Sequence, residues 1–79
     1  MAQPQFDPHG AVADAVTAWG RVAPVVIVPT SEADFQRLLA VIDEVLQITR
    51  GDTDHPLADL LYVLGTLAHE YEQAHDPDA

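Results

Sequence analysis

Ser31-Glu32-Ala33-Asp34-Phe35-Gln36-Arg37-Leu38-Leu39-Ala40-Val41-Ile42-Asp43-Glu44-Val45-Leu46-Gln47-Ile48-Thr49-Arg50-Gly51 is an amphipathic helix written out with both of its ends. Phe35, Leu38, Leu39, Ile42, Val45 and Leu46 recur at steps of three and four, which stacks them on one side of a 3.6-residue helix. Val41 and Ile48 widen that stripe to roughly half the circumference. Gln36, Arg37, Asp43, Glu44 and Gln47 fill the other half. Ser31 with Asp34 three residues on resembles a capping box with Asp in place of Glu. Arg50 sits in the last turn, where a cation suits the helix dipole, and Gly51 is the expected stop. The spacing predicts a helix over 31–50.

Downstream, Asp52-Thr53-Asp54-His55-Pro56 reads as a loop. It runs into a second long helix expected over 56–75, capped by Asp54 or His55, with Pro56 in the first turn. Its apolar face is Leu57, Leu60, Leu61, Leu64, Leu67, Ala68 and Tyr71, widened by Val63. Asp59, Tyr62, Thr66, His69, Glu70 and Gln73 lie opposite, and Asp76-Pro77 is the expected end. The two helices should form an αα-hairpin.

Upstream, Asp7-Pro8 reads as a helix start, with Val12, Ala15, Val16 and Trp19 at helical spacing and Gly20 as the stop. A short helix over 8–20 follows from this. Between it and Ser31 lies Ala23-Pro24-Val25-Val26-Ile27-Val28-Pro29-Thr30. Two prolines there bracket four β-branched residues. Proline pushes the preceding residue towards extended backbone, and β-branched residues favour strands. With no second strand in the sequence, this is an extended buried connector, able to pair only with its copy in another chain. Residues 1–6 are expected to be disordered. The fold class is therefore all-α: one small helical domain over 7–79, with a short helix, a connector and a helical hairpin.

At 79 residues the chain is one domain at most, and a core this small is marginal alone. There is no cysteine, so neither disulfides nor thiolate metal sites can supply a staple. The two long apolar stripes are wider than one helix–helix contact covers, since a coiled-coil seam needs only a narrow one. The surplus must face the first helix, the connector or another protein. Completion by homodimerisation is the expectation. Phe35, Leu38, Leu39, Ile42, Leu46, Leu57, Leu60, Leu61, Leu64, Leu67 and Tyr71 should form the core and the self-association surface.

The net charge is −10, from 13 acidic and 3 basic residues, none of them lysine. Such a surface repels phosphate backbones, so direct nucleic-acid binding is not expected, whereas a basic protein partner is. Asp52, Asp54, Asp59, Glu70, Glu72, Asp76 and Asp78 put seven of those charges after Gly51, with no Lys or Arg among them. Apolar runs such as Val25–Val28 and Leu38–Ile42 are far too short to cross a membrane, and no signal-like segment opens the chain. A cytoplasmic setting is the simplest expectation.

Sites for chemistry do not emerge. His69-Glu70 starts like a His-Glu-x-x-His zinc motif, but Gln73 stands where the second histidine is needed. His69, Glu72 and His75 only partly converge on a helix. No nucleophile with its base and no phosphate-cradling glycine loop is present, so no cofactor, metal or enzymatic activity is expected. Trp19 reads first as part of a small core and second as a partner anchor; Tyr62, on the polar face, reads as a partner contact.

Three stretches together resemble the N-terminal region of HigA-type antitoxins. They are Ala18-Trp19-Gly20-Arg21-Val22-Ala23-Pro24; Thr30-Ser31-Glu32-Ala33-Asp34-Phe35 with Leu39, Ile42 and Leu46; and His55-Pro56-Leu57 with Leu60, Leu64, Leu67, Tyr71-Glu72 and His75. The resemblance covers residues 12 to 77. It implies a partner: a small basic RNase-like toxin that cleaves messenger RNA and is neutralised by binding. It also implies a helix-turn-helix domain after this region. The 79 residues do not include one, so operator binding is not expected of them. Trp19, Asp52, Asp54, Asp59, Tyr62, Glu70 and Glu72 are the expected partner-binding residues. The other reading is a structural dimerisation or adaptor module with no toxin partner.

Overall fold

The computed structural model describes residues 6–75. The expectations placed on residues 1–5 and on Asp76-Pro77 lie outside these. Among the described residues the elements are α1 (Pro8–Val22), a 3-10 turn (Ala23–Val25), α2 (Glu32–Thr49) and α3 (Ala58–His75). The fold is all-α.

α2 has the ends its sequence specifies. The Ser31 hydroxyl accepts from the Asp34 N–H at 3.1 Å. The Asp34 carboxylate does not return the bond to Ser31. It accepts instead from the N–H of Thr30 at 3.2 Å and from the Thr30 hydroxyl at 3.0 Å. The capping network therefore starts one residue earlier than a capping box would. At the other end Arg50 is the C-cap in left-handed conformation, φ 50°, and Gly51 follows at φ 80°. Two successive positive-φ residues turn the chain sharply, and Gly51 adopts that conformation without a Cβ penalty.

α3 starts two residues later than its apolar pattern suggests. Residues 51–57 form turns held by backbone bonds, the His55 N–H to the Asp52 carbonyl at 3.2 Å and the Ala58 N–H to the His55 carbonyl at 2.9 Å, and by two of their own side chains. Asp52 Oδ1 accepts from Asp54 N–H at 2.9 Å, and His55 Nδ1 accepts from Leu57 N–H at 3.0 Å. Pro56 is thus a turn residue and not the first residue of the helix. α1 runs past Gly20, which lies in ordinary helical backbone, and closes on an Ala23 N–H bond to the Trp19 carbonyl. Pro24, which cannot donate to the ladder, ends it. The connector is half-buried rather than buried: it begins as the 3-10 turn, and Val28 is exposed.

α2 and α3 pack as a hairpin. Leu38 and Leu64 are its two completely buried side chains, joined by Val45 and Ala68. Phe35, Val41, Ile42, Leu57, Leu60, Leu61 and Leu67 close around them, with Ile27 of the connector on one flank. Thr49 is the single buried polar residue among those described, and its hydroxyl turns back onto the Leu46 carbonyl. Leu39 and Leu46, expected in the same stripe, stand out in solvent, Leu46 with 47% of its surface exposed. They lie on the edge of α2 turned away from α3.

α1 has no buried residue, and its principal contact is with the 3-10 turn that follows it. The molecule is accordingly long, 53 × 27 × 25 Å. Its radius of gyration is 15.5 Å, against roughly 12 Å for a compact domain of this length.

Candidate functional site: two exposed surfaces

The first surface is the outward side of α3. Tyr62 is 77% exposed at its centre. Asp59 lies one turn before it and Thr66 one turn after, and His69, Glu70 and Gln73 continue the same side. All are exposed. Asp52 and Asp54 are exposed in the turn before the helix. Between Gly51 and His75 there is no lysine or arginine to neutralise these carboxylates. Six of the seven residues expected to meet a partner are thus on α3 or its preceding turn. Glu72 departs from the others: it lies about 160° around the helix from Glu70 and about 140° from Asp59, beside a hollow shared with Glu32, Phe35, Tyr71 and His75.

That hollow contains an aromatic column. Tyr71 stacks on Phe35 at 4.8 Å and on His75 at 4.0 Å between ring centroids. The His75 ring is fixed in turn by its Nδ1, 2.9 Å from the Tyr71 carbonyl oxygen. Tyr71 was expected in the core and is half-buried there; the His75 ring on its far side had no signal in the sequence beyond its four-residue spacing. No group of three metal-ligating side chains occurs among the described residues. The Asp34 carboxyl is held below its ordinary pKa chiefly by the Thr30 N–H, then by the Thr30 hydroxyl and by Arg37, whose Nη1 lies 2.8 Å from Oδ1. Its setting is a helix cap, not a reactive site.

The second surface is apolar. Val12, Ala15, Val16 and Trp19 form one side of α1, all exposed, Trp19 by 50% and Val16 by 72%. The expectation that Trp19 joins a small core is overturned: α1 stands away from the hairpin, so no core reaches it. Nor does Trp19 share a patch with the acidic residues of α3. Beside the end of α1 opens a groove of about 480 Å³, walled by Val22 and Val25 on one side, Val41, Val45 and Ile48 of α2 on another, and Leu57 and Leu60 on the third. Only Arg21 and Glu44 bring charge to it. The sequence carried the material for this groove, since Val41 and Ile48 widen the α2 stripe. The wall made by Val22 and Val25 depends on where α1 and the connector run, which periodicity does not report.

No helix of the described residues is long and apolar enough to cross a membrane. Comparison with family models, with curated proteins and with solved structures finds no match to this chain.

Proposed function

We propose that this chain is a protein-binding module of the antitoxin kind, which neutralises a small basic RNA-cleaving protein by covering it and carries no catalytic activity itself. The observation that supports this most is Tyr62, a large amphipathic ring left 77% exposed on a helix face whose charged neighbours are all acidic. Tyrosine is enriched among the few residues that dominate interface energetics, because one ring supplies a large area with a polar tip at small entropic cost. The surrounding carboxylates favour encounter with a basic protein and disfavour nucleic acid. The RNA-cleaving character of the partner comes from the resemblance of residues 12 to 77 to HigA-type antitoxins, and a cytoplasmic setting goes with it.

Co-expression with the neighbouring reading frame, followed by pull-down on this chain, tests the reading. A small basic protein should be captured, its RNA cleavage should be suppressed, and Tyr62→Ala should weaken capture by tenfold or more. Capture of no basic protein, or capture that leaves cleavage intact, would overturn it.

The exposed side of α1 favours a second reading, a dimerisation or adaptor module without a toxin partner. Under that reading the chain self-associates normally but suppresses no RNA cleavage.

A further inference from the structure

Among the described residues, none covers the apolar stripe of α1 and none fills the apolar groove of the hairpin. We propose that the two belong together in trans: α1 of one copy lies in the groove of a second copy, and the exchange is reciprocal about a two-fold axis. This inference is independent of the proposed toxin partner.

The stripe cannot serve its own chain's groove. Arg21 and Val22, the last turn of α1, already form a wall of that groove. α1 is continuous from Pro8 to Val22, so Val12 stands about 15 Å further along the helix axis. A rigid helix cannot lay its middle into a groove that opens at its own end. A second copy has no such restriction. The dimensions agree: the stripe from Val12 to Trp19 and the α2 wall from Val41 to Ile48 each span seven residue steps, about 10 Å.

The area argues the same way. The chain exposes 6336 Å², about 1,600 Å² more than a compact protein of this mass presents. A standard interface removes about 800 Å² from each partner, so reciprocal exchange is well within that excess. A chain of this size with so small a core is expected to be completed by another polypeptide.

Charge decides between a second copy and a basic partner as the occupant. Over Pro8–Val22 the only formal charges are Asp14 and Arg21, which cancel, and residues 22–31 carry none. In a chain of net charge −10, this is the surface on which two copies meet without repulsion. A basic partner would gain nothing from it and much from α3.

Sedimentation and light scattering of the full chain test the proposal, together with Trp19 fluorescence, which reports on α1 because Trp19 is the only tryptophan. The wild type should be a dimer at micromolar concentration. On dilution Trp19 emission should shift to the red and acrylamide quenching should rise. Val16→Asp on the stripe and Ile48→Asp on the groove each change a side chain that is more than half exposed in the single chain. Both variants should keep their helical circular dichroism, become monomeric and raise Trp19 quenching to the diluted level. Mixed together they should recover a weak heterodimer, since the α1 of Ile48→Asp still fits the groove of Val16→Asp. A monomeric wild type at hundreds of micromolar would overturn the proposal. So would a dimer that survives Ile48→Asp, because α1 would then be pairing with α1, and so would loss of dimer without heterodimer recovery. If the wild type is monomeric but captures a basic protein through Tyr62, the exchange fails and the proposed function stands. A dimer that captures none gives the reverse.

Discussion

The rings of Phe35 and Tyr71 lie 4.8 Å apart and 21° from parallel, so the first turn of α2 is clamped to the last turns of α3. The hairpin is therefore fastened at its open end, opposite the turn at residues 51–57. Each ring removes apolar surface from water, and the pair adds about 0.5–1.5 kcal/mol beyond that area. Phe35→Leu and Tyr71→Leu should each destabilise the chain, and a double-mutant cycle by urea denaturation should return a coupling in that range. A coupling indistinguishable from zero would mean that the rings sit side by side without depending on each other.

Leu38 and Leu64 are the only side chains among those described with no exposed surface, one from each long helix. Truncating a buried leucine to alanine costs about 2–5 kcal/mol, the spread depending on how far the site collapses. A chain of this size has only roughly 4–12 kcal/mol in total. Leu64→Ala should thus lower the thermal midpoint by ten degrees or more, and Leu64→Asp, which would bury an unpaired carboxylate, should unfold the chain. Leu46→Ala is the control: with half its surface in water, it should cost the single chain far less. Equal losses at positions 46 and 64 would contradict the placement of the core.

Asp34 gives a prediction with a defined sign. Its pKa is lowered from 3.8 in the folded chain, chiefly by the Thr30 N–H it accepts from. A lowered folded pKa means that the ionised form stabilises the fold. The contribution is complete well above 3.8 and is lost as pH falls through the folded value. The stability difference between wild type and Asp34→Asn should therefore be largest at neutral pH and shrink to its floor in strong acid, read from urea midpoints between about pH 7 and pH 2.5. A difference that does not change with pH would show the carboxylate's charge to be idle. Ser31→Ala, which removes the neighbouring cap at 3.1 Å, should cost about 1 kcal/mol at neutral pH.

The hairpin was legible because each of its devices is local. The stripe from Phe35 to Leu46, the Ser31 cap and the Gly51 stop all act within a few residues of one another. The late start of α3 was not legible, because the side chains of Asp52 and His55 take the N–H groups of Asp54 and Leu57, an alternative that the pattern from Leu57 onward does not reveal. Gly20 misled for a related reason: glycine ends a helix only where the chain needs a positive φ, and here Pro24 ends it instead. Trp19 was the larger miss. Small apolar residues at helical spacing specify that α1 has an apolar side, but not which surface covers it. Nothing local distinguishes a stripe buried within one chain from a stripe left for another. Asp59, Tyr62 and Glu70 were placed together correctly, since residues on one helix keep the relation their spacing dictates.

Asp59 and Glu70 carry the final prediction, which concerns steering of a basic partner. They lie about 20° apart in projection and three turns apart along α3, on either side of Tyr62 and Thr66. Both are exposed, and their charge is free to act at a distance. Charges of this kind change the rate of encounter more than the lifetime of a complex. They are screened beyond about 8 Å at physiological ionic strength. Association with the basic protein captured in co-expression should slow as salt rises. Changing Asp59 and Glu70 together to Lys should slow it by about tenfold or more at low salt. Dissociation should change little, and helical circular dichroism should stay as in the wild type. Tyr62→Ala should do the opposite, speeding dissociation while leaving the salt dependence intact. Stopped-flow mixing separates the two effects. An association rate indifferent to salt and to the double substitution would eliminate steering, and tight binding that persisted through all three changes would move the contact surface off the outward side of α3.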